Sequence, residues 1–252
     1  MLHQCSPKAV PKLVNQCHYY KREAVRAWEL LQSAGIEFDG ELILSDDGVS
    51  VCSVIDGQRT CFQHSFLDLS LLRRARQKNQ ALIRACLGRK QGECRVVDLT
   101  AGWGRDSFIL ASHGMQVTMI EHNPLVFATV QFLLQIATRE DSSQAARAMR
   151  LVQADAASWL DRTMQPAVDC LYLDPMFELQ RKSAKPGKEL QLLQLITRNR
   201  AIDEVFQAAL HTGTPRVVVK RALHAGNLDE RKPDLQYKEK TVRFDVYLNH
   251  PG

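Results

Sequence analysis

Val96–Gly114 reads "VVDLTAGWGRDSFILASHG", and the architecture turns on it. Val96 and Val97 lead into Asp98 as a buried strand would. Gly102 and Gly104 then allow a tight turn and a close backbone approach to a ligand. From Arg105 the chain reads as a helix that stops at Gly114. Strand, glycine turn and helix in this order open a doubly wound sheet with a ligand-binding turn. A full dinucleotide fingerprint would place a third glycine at position 107, where this chain has Ser107. Arg105 and Asp106 put charge where a pyrophosphate-binding turn offers bare amides. Asp106 would repel a phosphate but could accept a hydrogen bond from an ammonium group. That favours an amino-acid-bearing cofactor over NAD.

Downstream, strand and helix alternate. "QVTMIEH", "RLVQADA", "DCLYLDP", "PRVVVKRA" and "VRFDVYLNH" read as strands. "PLVFATVQFLLQIATR" and "LQLLQLITRNRAIDEVFQAAL" read as helices. Apolar strands alternating with helices imply an α/β fold with a mostly parallel sheet covered on both faces. Ligands in such sheets bind at the carboxyl ends of the strands. This region, 93–252, forms the larger expected domain. Residues 1–92 form a smaller N-terminal α/β appendage. In it, a proline-punctuated lead runs into a helix ending at Gly35. Asp-Gly turns then separate the strands of a small antiparallel meander. "SLLRRARQKNQALIRACLG" reads as one basic amphipathic helix.

The strand ends carry the candidate site. Asp98 ends the first strand. Glu121 ends the second, 19 residues after Gly102, the expected place of an acid for ribose hydroxyls. Asp155 ends the third and is placed to accept an adenine amine. Carboxylates at successive strand ends, in register with a glycine turn, describe an S-adenosylmethionine pocket. The fourth strand ends "LDPMF". An exocyclic amine on a nucleobase is a poor nucleophile, because its lone pair is delocalised into the ring. Asp174 could accept one N–H, and a carbonyl of the turn stiffened by Pro175 the other. Phe177 could stack the flipped base. With an ordinary carboxylate pKa near ~4, Asp174 would act through geometry and charge rather than as a strong base.

Composition limits the alternatives. Hydrophobic content of 45% and charged content of 24% suit a water-soluble globular protein, and no apolar run approaches a membrane span. The N-terminus lacks a signal-peptide core, so a cytoplasmic protein is expected. Seven scattered cysteines, an odd number without a C-x-x-C pair, suggest reduced thiols. Cys5, Cys17 and His18 fit no standard zinc spacing, and no metal is expected. Net charge is +5, and the basic residues cluster at Arg73, Arg74, Arg76, Lys78, Arg84, Arg89 and Lys90 and in "RKSAKPGK", Arg181–Lys188. Either run alone could be a solvated face. Two runs, one beside the candidate site, favour a polyanionic partner.

"VVDLTAGWGRDSFILASHG", "MIEHNPLV", "LYLDPMF" with a following "KSA", "RVVVKR" and "RFDVY" together resemble the bacterial 16S ribosomal RNA (guanine-N2)-methyltransferase family, ribosomal RNA small subunit methyltransferase J. The resemblance covers roughly 93–248. It implies a class I, Rossmann-like methyltransferase with a seven-stranded sheet that uses S-adenosylmethionine and methylates a guanosine amine of the small subunit. It implies cofactor contacts at Arg105, Asp106, Glu121, His122, Asp155, Ala156 and Asp174. His122 stands where the family commonly has arginine. "QADAAS" replaces a serine-containing stretch, and Glu178 replaces a proline. The other classes weighed are a DNA-adenine type amino-methyltransferase, an NAD-dependent oxidoreductase, and a non-catalytic ribosome-binding module. The second lacks the third glycine and a placeable hydride-handling His or Tyr. The third leaves the strand-end carboxylates without purpose.

Overall fold

Strand formation begins inside the lead segment. In the computed structural model, which describes residues 12–33, 38–77, 80–139, 144–162, 168–175 and 202–249, Lys12–Asn15 is a strand (β1). Helix α1, Lys21–Ser33, follows. Strands β2 (Glu41–Ser45), β3 (Gly48–Ile55) and β4 (Gln58–His64) form the expected antiparallel meander, and β1 adds to it in parallel beside β2. The β3–β4 hairpin turns on Asp56-Gly57, both at positive φ (53° and 75°), as a two-residue loop between right-twisted strands requires. That register sets Cys52 directly opposite Cys61, and the two are disulfide-bonded. The expectation of reduced thiols therefore fails for this pair. Cys17, Cys86, Cys94 and Cys170 are free and buried.

The single basic helix is in fact two: α2, Leu69–Ala75, and α3, Ala81–Leu87. The run from Arg76 to Gln80 has no apolar residue to hold a helix on the core. Gln80 Nε2 instead donates to the carbonyls of Arg74 (2.8 Å) and Gln77 (3.0 Å).

The larger sheet contains β5 (Arg95–Asp98), β6 (Gln116–Glu121), β7 (Met149–Gln153), β8 (Cys170–Leu173), β9 (Arg216–Ala222), β10 (Leu235–Lys238) and β11 (Val242–Leu248). Their order is β10-β11-β9-β8-β5-β6-β7. All neighbours are parallel except β11, which runs antiparallel to both β9 and β10. The helices between them are α4 (Arg105–Ser112), α5 (Pro124–Arg139), α6 (Gln144–Arg147), α7 (Ala156–Arg162) and α8 (Ile202–His211). Of the long helix expected before β9, only α8 lies within the described residues.

Both faces of this sheet are buried. Val96, Tyr172 and Val218 join one apolar cluster, and Val97, Leu171, Leu173, Val217 and Val219 join another, as side chains alternating across a sheet must. The first cluster also takes in Leu42, Leu44, Val49 and Phe66 from the N-terminal region. Among the described residues no helix is long and apolar enough to cross a membrane.

Candidate active site

The chain crosses from one half of the sheet to the other at β5, which is flanked by β6 and β8. Such a switch point opens a crevice at the carboxyl ends of the strands. The glycine turn lies there. Gly102 (φ 50°) and Gly104 (φ 72°) are both left-handed, and Gly104 caps α4. A Cβ on Gly104 would come within 3.0 Å of Phe66 Cζ and 3.3 Å of Met119 Sδ. A Cβ on Gly102 would meet nothing nearer than the Thr100 carbonyl oxygen at 3.9 Å. Gly104 is thus required for packing, whereas the Gly102 backbone borders open space.

Asp98 lies beneath this turn. Thr100 N donates to its Oδ1 (3.1 Å), and Ser107 Oγ to its Oδ2 (2.6 Å). Ser107, standing at the third-glycine position, therefore ties α4 to β5. Burial pushes the Asp98 carboxyl up to about 7 against these hydrogen bonds.

Glu121 links the turn to β6. Gly102 N donates to its Oε2 (3.0 Å), and Asn123 N to its Oε1 (2.7 Å). His122 Nδ1 lies 3.4 Å from the same Oε1. The carboxylate is buried, which raises its pKa. Each oxygen can accept a further hydrogen bond, so the group can hold ribose hydroxyls at the edge of the glycine turn. Asp155 engages the start of α7, where Ser158 N donates to its Oδ1 (2.9 Å), and Ala156 is the first residue of that helix.

At the end of β8, Asp174 N donates to Thr100 Oγ1 (2.6 Å), so the acidic turn is fastened to the glycine turn. Pro175 is buried. Phe177 and the Arg181–Lys188 cluster lie outside the described residues.

Two residues that sequence reasoning had not placed in the site complete it. Lys220 Nζ, from β9, donates to Asp174 Oδ2 (2.8 Å) and to Asp106 Oδ2 (2.7 Å). Tyr172 OH donates to the same Asp106 oxygen (2.7 Å). Arg74 of α2 approaches Asp106 Oδ1 at 3.9 Å. Asp106 thus holds an ammonium, as its position had suggested, but that ammonium is Lys220's. Burial would raise the Asp106 pKa, yet Lys220, Tyr172 and Arg74 together hold it below the usual range. Asp174 goes the other way. Burial, with Asp106 adding repulsion, outweighs Lys220 and lifts it to about 6. Burial opposes the Lys220 charge, but the two carboxylates keep it firmly protonated. Burial and the neighbouring carboxylates likewise keep Tyr172 a neutral donor. A lysine after three valines in a buried strand was the available signal for Lys220.

Asp106 and Asp174 flank one buried ammonium, with Arg74 at the margin, and Asp98 lies close enough to feel both carboxylates. The Lys220 ammonium is taken up by these two carboxylates and is not offered to a pyrophosphate. The glycine turn, the buried Glu121 carboxylate beside it and this carboxylate-lined crevice fit S-adenosylmethionine.

The comparisons agree. A family model described as "Putative SAM-dependent methyltransferase" matches residues 25–249. A protein of Thioalkalivibrio sulfidiphilus named ribosomal RNA small subunit methyltransferase J is 42% identical over 156 residues, 61% of either chain. One of the same name from Pseudoalteromonas atlantica is 40% identical over 178 residues, 68% of this chain and 69% of that one. Another from Aeromonas salmonicida is 41% identical over 175 residues, 68% of this chain and 70% of that one. The matched portion thus spans from under two thirds to about 70% of these relatives' lengths. A crystal structure of a SAM-dependent methyltransferase from Neisseria gonorrhoeae superposes with a TM-score of 0.67 at 27% identity, covering 96% of this chain and 97% of that one.

Proposed function

The chain belongs to the family of SAM-dependent methyltransferases that includes the proteins named ribosomal RNA small subunit methyltransferase J, and from that premise we propose that it methylates the exocyclic N2 of a guanosine in 16S ribosomal RNA, in the cytoplasm. When bound, S-adenosylmethionine supplies an electrophilic methyl group on a sulfonium. Glu121 accepts the ribose hydroxyls, and the Gly102 backbone lies against the ligand. Asp174 accepts an N–H of the target amine and aligns its lone pair. Phe177 stacks the base. Arg73 on α2 and Arg76 just after it, both exposed, contact RNA phosphates.

One observation carries this reading: Asp174 is joined through its own N–H to Thr100 of the glycine turn. Donor-side and acceptor-side loops therefore hold a fixed relation, the positioning that slow amine nucleophiles require. With its pKa lifted to about 6, Asp174 is ionised at neutral pH. It is also better matched to receive the departing proton than an ordinary carboxylate.

The test is methyl transfer to small subunits from cells lacking this protein, with the product nucleoside identified by mass. N2-methylguanosine is expected. Asp174→Asn should cut single-turnover transfer by ~10²-fold or more. Methylated adenosine, or no RNA product from a protein that binds S-adenosylmethionine, would overturn the reading.

A further inference from the structure

Lys220 lies on β9, one strand beyond the acidic turn, and its side chain is largely buried, with 16% exposure. It reaches two carboxylates from different elements, Asp106 on α4 and Asp174 after β8. A lysine needed only to neutralise one buried acid would not require both. Asp174 Oδ2 is taken by the ammonium, and its Oδ1 has no partner among the described residues. Asp106 is held from three sides, by Lys220, Tyr172 and Arg74, which fixes the far end of the bridge.

We propose that Lys220 is a positioning residue for methyl transfer: its ammonium, anchored on Asp106, orients the Asp174 carboxylate and keeps it ionised, leaving the second oxygen to the acceptor amine. The inference rests on the reading of Asp174 given above. Among the described residues, the charged and titratable groups facing Asp174 are Lys220 on β9, Asp106 on α4, Asp98 on β5, Tyr172 on β8 and Arg74 on α2.

Lys220 favours the Asp174 anion, whereas Asp106 opposes it. Removing the ammonium brings two carboxylates together without a cation between them, so one of them holds a proton to higher pH. The acid limb of the rate profile in Lys220→Met should therefore move up by ~1–3 pH units. Lys220→Arg keeps the charge and should leave the limb near its wild-type place. Asp106→Asn removes the repulsion and frees Lys220 for Asp174, so its limb should move down.

The experiment is single-turnover methyl transfer to purified small subunits as a function of pH, at saturating S-adenosylmethionine, for the wild type and these three variants. Wild-type transfer to guanosine secures the reading on which the proposal rests, and its absence would sink that reading alone. Opposite shifts in Lys220→Met and Asp106→Asn support the proposal. A lower rate with an unmoved limb in either folded variant makes Lys220 a structural ion pair only. Should Lys220→Met not fold, Lys220→Gln is measured in its place, and the same upward shift of its acid limb decides the matter.

Discussion

His64 offers a sharp test of how the N-terminal sheet supports the ligand crevice. It ends β4, is 4% exposed, and its Nε2–H donates to the Trp103 carbonyl in the glycine turn (2.8 Å). Phe62, Phe66 and Trp103 surround the ring at centroid distances of 6.1, 5.2 and 6.1 Å. Burial pushes its pKa down to about 4, against the Trp103 hydrogen bond and with help from Arg105. An unfolded histidine titrates near ~6.5. The folded protein therefore binds the proton more weakly than the unfolded chain does. The stability tied to neutral His64 is fully present above the unfolded value. It drains as the pH falls through the window down to about 4. The whole window is worth about 3 kcal/mol, and about 2 kcal/mol of it is gone by a pH of ~5. His64→Gln retains an N–H donor but does not titrate. Urea unfolding of both proteins at pH values of ~7.5 and ~5 isolates the difference, because every other group is common to the two. The wild type should lose about 2 kcal/mol more than the variant. Equal losses would show that His64 is not held neutral by this burial, and would refute the reasoning.

Glu121→Ala should weaken S-adenosylmethionine binding by roughly 10- to 150-fold in calorimetric titration, the value of a charge-assisted hydrogen-bond pair; unchanged affinity in a folded variant would remove the assignment. Gly104→Ala, whose Cβ would press on Phe66 and Met119, should lower stability by ~1–3 kcal/mol. Gly102→Ala should instead lose mainly cofactor affinity, and thermal melts with and without S-adenosylmethionine separate the two. Neutralising Arg73 and Arg76 together should flatten the salt dependence of RNA binding by about one slope unit per lost phosphate contact. Arg74 is left intact because it reaches Asp106, and an unchanged slope would return α2 to a merely solvated face.

The sheet was legible because β5, β6, β8 and β9 are apolar runs that bury both faces, a pattern polar surface cannot mimic. β10 was not, since "LQYK" is mostly exposed and takes its place only by pairing with β11. β1 was hidden in a half-exposed segment whose partner comes 29 residues later. The glycine turn and Glu121 could be read because spacing along the chain places them. Lys220 and Tyr172 could not be assigned roles, because their partners come from α4 and the end of β8, contacts set by the crossover order. The Asp174 environment has the same origin. An ordinary carboxylate pKa was the natural expectation from sequence, and burial beside Asp106 changes it. The Cys52–Cys61 pair follows from hairpin register, which counting cysteines does not supply.

The apolar cluster that runs from Leu42 and Phe66 into Phe108 and Met119 bears on how this protein can be recombined. Phe66 stacks on Phe108 at 5.3 Å and fills the space that Gly104 leaves. Arg139, near the end of α5, pairs with buried Glu23 and lies over Tyr20. A chimera that keeps residues 93–252 but borrows its leading segment from a relative would have to match the lining of the glycine turn as well as the RNA-facing surface. Grafts chosen by RNA preference alone should lose methyl-donor affinity first, and compensating exchanges at Phe62, His64 and Phe66 should restore it.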